Sequence, residues 1–184
     1  MRIINDLLTI NPYSRPGRPL YSVMGIVIHY LGAPGQPAMA ARNYWESLKN
    51  QDAEDAKQDV YASAHFVVDF DGIVLRTIPE TEMAYHCGAK KYTQKACDAF
   101  GNYCDSNSSP NRVTIGVELT HPAADGKPGD ITRDVAVELI RDLCKRFGLE
   151  PRKQVFRHYD ITGKDCPRWF VANPEDWNAF LVSI

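Results

Sequence analysis

Met24-Gly25-Ile26-Val27-Ile28-His29-Tyr30 is an apolar run of strand length, rich in β-branched residues, that ends in a histidine and the turn-forming loop Gly32-Ala33-Pro34-Gly35. It reads as a buried strand with His29 at its end. Before it, Pro12, Pro16 and Pro19 are interspersed with Arg15 and Arg18, which predicts an extended arm over residues 1–22, packed on the domain rather than forming regular structure, and placed to line a groove.

Downstream, Met39, Trp45 and Leu48 give a helical period from Pro37 to about Asn50, with Pro37 suited to a first turn, and a charged loop follows to Asp59. Ser63 to Asp69 and Ile73 to Ile78 flank Phe70-Asp71-Gly72 and read as a hairpin, because Asp-Gly tolerates the positive φ angles of a tight turn. The segment from Pro79 to Arg112 has little apolar period and reads as a long loop beside a groove. In Val113 to Thr120 the apolar residues alternate, so Glu118 falls on the face opposite Val113, Ile115, Val117 and Leu119. Val135, Leu139, Ile140, Leu143 and Phe147 make the stripe of a core helix that Thr132 caps and Gly148 ends. A short strand from Gln154 leads into His158, and a helix from Pro174 to Ile184 closes the chain. The chain therefore reads as strands and helices of a single domain.

The chain has 184 residues, enough for one substantial core. A net charge of -2 gives no field that favours nucleic acid or an anionic membrane, and no apolar run approaches the roughly 20 residues of a membrane span. Met1-Arg2-Ile3-Ile4-Asn5-Asp6 lacks the apolar stretch of a signal peptide, so synthesis in the cytoplasm is expected. Five cysteines cannot all pair, and a reducing compartment favours free thiols or metal ligands; Cys97 and Cys104 could bond in an oxidising space, and Cys144 reads as a small buried hydrophobe. No oligomeric state is legible.

The densest chemistry lies in Arg157-His158-Tyr159-Asp160-Ile161-Thr162-Gly163-Lys164-Asp165-Cys166-Pro167. Together with His29 it offers two imidazoles and a thiolate, a set suited to zinc, and three protein ligands leave a fourth tetrahedral position for water. Read from chemistry alone, a strand-end histidine is more often structural than a ligand, and Glu118 reads more readily as a solvated strand-end acid than as a catalytic one.

In order and spacing, Gly25 to His29, Ser63 to Asp69, Ala84-Tyr85-His86-Cys87-Gly88, Thr114 to Glu118 and His158 to Pro167 resemble the type-2 N-acetylmuramoyl-L-alanine amidase family, which includes amidase-type phage lysozymes and peptidoglycan recognition proteins. The resemblance runs from about residue 23 to residue 170. It implies an α/β fold, a central mixed, mainly antiparallel-edged β-sheet flanked by helices, and a catalytic domain over residues 23–184 with one catalytic zinc ion on His29, His158 and Cys166. Asp165 is an alternative last ligand, since some subfamilies use an aspartate. The resemblance further implies that Glu118 shuttles the proton, Lys164 steadies the developing oxyanion, and His86 contacts the substrate. His65 is carried as a second substrate contact, with a hydrogen bond inside the sheet as its slightly favoured alternative, and His121 as a loop residue near Glu118. Where some members have a tyrosine before that histidine, this chain has Ala64. The implied partner is peptidoglycan, reached in the cell wall after lysis or non-classical release. The rival readings are a non-catalytic peptidoglycan-binding module, a cysteine hydrolase built on Cys166 and His158, and a closed structural zinc site.

Overall fold

The computed structural model describes residues 1–51, 54, 59–105 and 108–184, and most of the expected charged loop between Asn50 and Asp59 lies outside them. Among the described residues six strands form one sheet: β1 (Arg2–Asn5), β2 (Gly25–Tyr30), β3 (Phe66–Val68), β4 (Ile73–Arg76), β5 (Thr114–Leu119) and β6 (Val155–Arg157), in the order β1-β4-β3-β5-β2-β6. Seven α-helices surround it among the described residues: α1 (Ala38–Ser47), α2 (Gln94–Phe100), α3 (Asp130–Phe147), α4 (Pro151–Gln154), α5 (His158–Thr162), α6 (Arg168–Ala172) and α7 (Pro174–Ser183).

The sheet is mixed, but its edges are parallel rather than antiparallel as expected. Only β3 and β4 run antiparallel; the pairs β1–β4, β3–β5, β5–β2 and β2–β6 are all parallel. The reason is connection length. A tight turn joins β3 to β4, with Gly72 at φ 80° and its amide bonded back to Asp69, whereas longer crossovers join the other neighbours.

The two faces bury different cores. On one, Ile26, Ile28, Phe66, Val68, Ile115 and Val117 pack under α3 and α7 with Leu139, Ile140, Leu143 and Phe180. On the other lie two smaller clusters. Val67 and Leu75 meet Trp45 and Ile78, and Val27 and Phe156 meet Phe100 and Ile161. His29 and Glu118 share this second face by the alternation of their strands. Helix α3 ends as expected at Gly148, in the left-handed region at φ 66°. Thr132 is not its cap. Gly129 is, and the Thr132 hydroxyl instead turns inward to within 3.3 Å of Thr120 Oγ1.

The first 22 residues depart from the expected irregular arm. Arg2–Asn5 form the edge strand β1 on β4, while Leu8 and Tyr13 belong to the same core cluster as Trp45 and Ile78. Arg15 fixes the segment: its guanidinium donates two 2.8 Å hydrogen bonds to the Glu82 carboxylate and one of 2.7 Å to the Leu8 carbonyl. This paired fork is mostly shielded from water, so removing it leaves a carboxylate and a carbonyl short of partners. Arg15→Ala should therefore lower stability by roughly 1–3 kcal/mol, seen as a lower urea midpoint with an unchanged denaturant slope.

Candidate metal centre and active site

The parallel pairing of β2 with β5 sets His29 opposite Glu118, and β6, on the other side of β2, delivers His158 as the first residue of α5. These three residues lie at the carboxyl ends of parallel strands, where open α/β sheets collect their ligand sites. A closed loop returns the chain to the same place. Gly163 ends α5 in the left-handed region at φ 79°, and the Tyr159 amide then donates to the Cys166 carbonyl at 2.8 Å. Cys166 is thereby folded back against His158.

Asp160 locks α5. Its carboxylate accepts from the Arg157 amide and guanidinium at 2.9–3.1 Å and from Lys95 Nζ of α2 at 3.1 Å. A buried carboxylate holding the first turn of a five-residue helix is a positioning element for His158.

The ligand atoms of His29, His158 and Cys166 all lie within 4.8 Å of one another. His29 Nδ1 is 3.1 Å from His158 Nδ1 and 3.8 Å from Cys166 Sγ. Tetrahedral zinc, with bonds of about 2.05 Å to nitrogen and about 2.3 Å to sulfur, spaces its ligand atoms about 3.3 Å (N to N) and about 3.6 Å (N to S) apart. The donor set fits zinc, and the two spacings from His29 Nδ1 lie close to these values. Asp165, the alternative ligand, is exposed and holds Arg168 Nε at 3.0 Å, so it stands outside the set.

Burial also gives the imidazoles the protonation state a ligand needs. It lowers His158 to about 4, with help from the charge of Lys164, and holds His29 well below the ordinary histidine range. Both are neutral at physiological pH, with lone pairs free for a metal. The Cys166 thiol is pushed up by burial and by Glu118, against a hydrogen bond from the Tyr30 backbone. Without a cation it stays protonated.

Glu118 is the unusual acid. Although the residue is only partly covered, its Oε2 is sealed from solvent and has no hydrogen-bond partner among the described residues. Burial raises its pKa to about 8, against the pull of Lys164. Glu118, Lys164, His29, His158 and Cys166 all line one cavity of about 780 Å³, together with Arg18 of the first segment and Tyr85 and Arg112 from the Pro79–Arg112 segment. That segment borders the groove as expected. It also contains α2, capped by the Thr93 side chain, and a disulfide between Cys97 and Cys104 where free thiols were the expectation.

The structure corrects His65. It is fully buried, Nε2 donates to the Glu82 carbonyl at 2.9 Å, and Nδ1 accepts from the Gly116 amide at 3.0 Å. With both nitrogens tied to backbone it has nothing to offer a substrate, and its sheet-bonded alternative holds. His86 reaches the cavity but is only 8% exposed, and both its ring nitrogens have partners inside the protein. His121 is buried, with Nδ1 on the Ala123 carbonyl at 2.7 Å, and takes no part in the cavity wall.

A sequence model described as N-acetylmuramoyl-L-alanine amidase matches residues 19–169, most of the chain. The chain belongs to the N-acetylmuramoyl-L-alanine amidase family. A protein named as a probable N-acetylmuramoyl-L-alanine amidase of Bacillus licheniformis is 35% identical over 180 residues, covering 98% of this chain and 46% of that relative. The amidase CwlL of the same species is 34% identical and is covered to 47%. The chain thus spans about half the length of these family members. The solved catalytic domain of XlyA, a Bacillus subtilis amidase, superposes with a TM-score of 0.70 at 26% identity, over 100% of this chain and 99% of that domain.

Asp160 carries a signal that its sequence context already held, an acid three residues into a helix opening; Arg18 and Arg112 come from the two segments expected to border a groove, and only the fold brings their side chains to one cavity. The buried Glu118 carboxylate yields a pH prediction for the metal-free protein. Its folded pKa lies above its unfolded value, so its stabilising contribution is complete below about pH 4.5 and is lost as pH rises through about 8. Glutamine cannot ionise. Glu118→Gln should raise stability at neutral pH by roughly 3 kcal/mol and leave it unchanged near pH 4, as measured by thermal unfolding in the presence of a chelator.

Proposed function

We propose that the chain is the zinc-dependent catalytic part of an N-acetylmuramoyl-L-alanine amidase, hydrolysing the amide between the lactyl group of N-acetylmuramic acid and the L-alanine of the peptidoglycan stem peptide. The observation that carries the reading is a buried His29–His158–Cys166 set beside a cavity, with the unpaired carboxylate of Glu118 next to it. The names of the relatives supply the substrate class.

His29, His158 and Cys166 would hold the ion, which when bound polarises the scissile carbonyl and acidifies the attacking water. Glu118 accepts the proton of that water and returns it to the leaving amine. A carboxylate beside the ligand set but outside it can take up a proton in one step and release it in the next. Lys164 lies in the same cavity, and its charge acts on Glu118 and both histidines. A fixed ammonium there stabilises negative charge building on the carbonyl oxygen. Arg18, Tyr85 and Arg112 line the groove through which the peptidoglycan strand would enter.

Two rivals fare less well. A cysteine nucleophile needs an accessible thiolate, yet Cys166 is 3% exposed and its thiol is pushed up rather than down. A purely binding module has no use for a complete ligand set with a proton acceptor beside it. The test is digestion of purified peptidoglycan with and without a chelator, followed by mass spectrometry. Free stem peptides beginning with L-alanine, lost on chelation and restored by zinc, support the proposal; intact wall that co-sediments with the protein contradicts it. Cys166→Ser should bind zinc weakly and lose turnover together, whereas Glu118→Ala should keep its zinc and lose turnover by at least ~100-fold.

A further inference from the structure

We infer that His86 is a positioning residue that fixes the ring tautomer of His29, and that the direction of this control starts at a backbone carbonyl four residues before Thr114. A chain of hydrogen bonds leads there, and its distances favour one polarity. The Thr114 hydroxyl donates its single proton to the Pro110 carbonyl at 2.7 Å. The groups that His86 Nε2 faces are the same hydroxyl oxygen, at 3.2 Å, and the Thr114 carbonyl, at 3.4 Å. One has its proton committed and the other can only accept. This arrangement assigns the ring proton to His86 Nε2.

It follows that His86 Nδ1 is a bare lone pair. His29 Nε2 lies 3.1 Å from it and must be the donor. His29 is thereby fixed as the Nε2–H tautomer, with Nδ1 bare and directed at His158 Nδ1 and Cys166 Sγ. Cys87 does not disturb this order, because its thiol donates to Asn111 Oδ1 at 3.3 Å. Nor is the placement of His86 incidental. A Cβ at position 116 would come within 2.6 Å of His86 Cγ, so the glycine on β5 leaves the space that the ring occupies. The two rings meet edge to face at 89°, with centroids 5.2 Å apart, which directs the His29 N–H at the edge of the His86 ring.

The consequence for zinc rests on the metal reading above, whereas the tautomer itself does not. Fixing the second nitrogen of a histidine ligand sets the ring orientation and raises its basicity, and loss of such a partner typically weakens metal binding about 10- to 100-fold. Two readouts test the inference. Heteronuclear NMR of metal-free wild-type protein near neutral pH should find His29 protonated at Nε2. Competition with a chromophoric chelator should find zinc binding about 10- to 100-fold weaker in His86→Leu. His86→Asn should restore most of that loss, because Asn Oδ1 takes the place of Nδ1 as acceptor, and so decides the matter even if the leucine variant does not fold. His29 protonated at Nδ1 in the wild type, or an asparagine variant that binds zinc no better than the leucine one, overturns the inference. A wild-type protein with the expected tautomer but no zinc affinity instead defeats the metal reading and leaves the hydrogen-bond order intact.

Discussion

Strands β2 and β5 are paired in parallel so that His29 lies opposite Glu118, and a slip of one residue in that register would turn Glu118 to the other face of the sheet. The remainder of the site is built from this pair. Strand β6 flanks β2 on the other side and launches α5, so that His158 arrives beside His29, and the eight-residue return from His158 brings Cys166 to the same point. Neither imidazole could be placed by local conformation alone. Both depend on the sheet order, in which β2 lies between β5 and β6.

The same arrangement stores an electrostatic cost. Four histidines lie along one face, with ring centroids 4.7 Å apart for His29 and His158, 5.2 Å for His29 and His86, and 5.9 Å for His65 and His86. Burial keeps them neutral, and it also leaves Glu118 with an oxygen that no described residue satisfies. A sheet optimised for stability alone would fill this space with apolar side chains, as the opposite face does under α3. A bound cation would answer both features at once, since the neutral imidazoles supply lone pairs and the carboxylate supplies negative charge. The surrounding staples, Asp160 on α5 and Arg15 on Glu82, hold the frame in place around that imbalance.

What the sequence disclosed follows the range of the interactions involved. Strand β2, the hairpin of β3 and β4, the alternation in β5 and the stripe of α3 are local patterns, and each lies within a few residues of where the sequence places it. Strand β1 was not legible because its four residues are largely exposed and are held by pairing with β4, some seventy positions away. The parallel edges were missed for the same reason, as residues within a strand do not say which neighbour it will take. At the site, residue types indicated His29, His158 and Cys166 as a group, and the fold brings their ligand atoms together. For His65 and His86 residue type says little. One is bonded to backbone on both sides and the other hands its acceptor to His29, and both outcomes depend on Gly116 in a strand distant from either.

The central claim is that three protein ligands hold a zinc ion with one position left open. X-ray absorption at the zinc edge of the metal-loaded protein measures this directly. The account predicts one sulfur at about 2.3 Å and two imidazole nitrogens at about 2.0 Å, completed by a single exchangeable oxygen. A first coordination sphere without sulfur, or one closed by a fourth protein ligand, would contradict it.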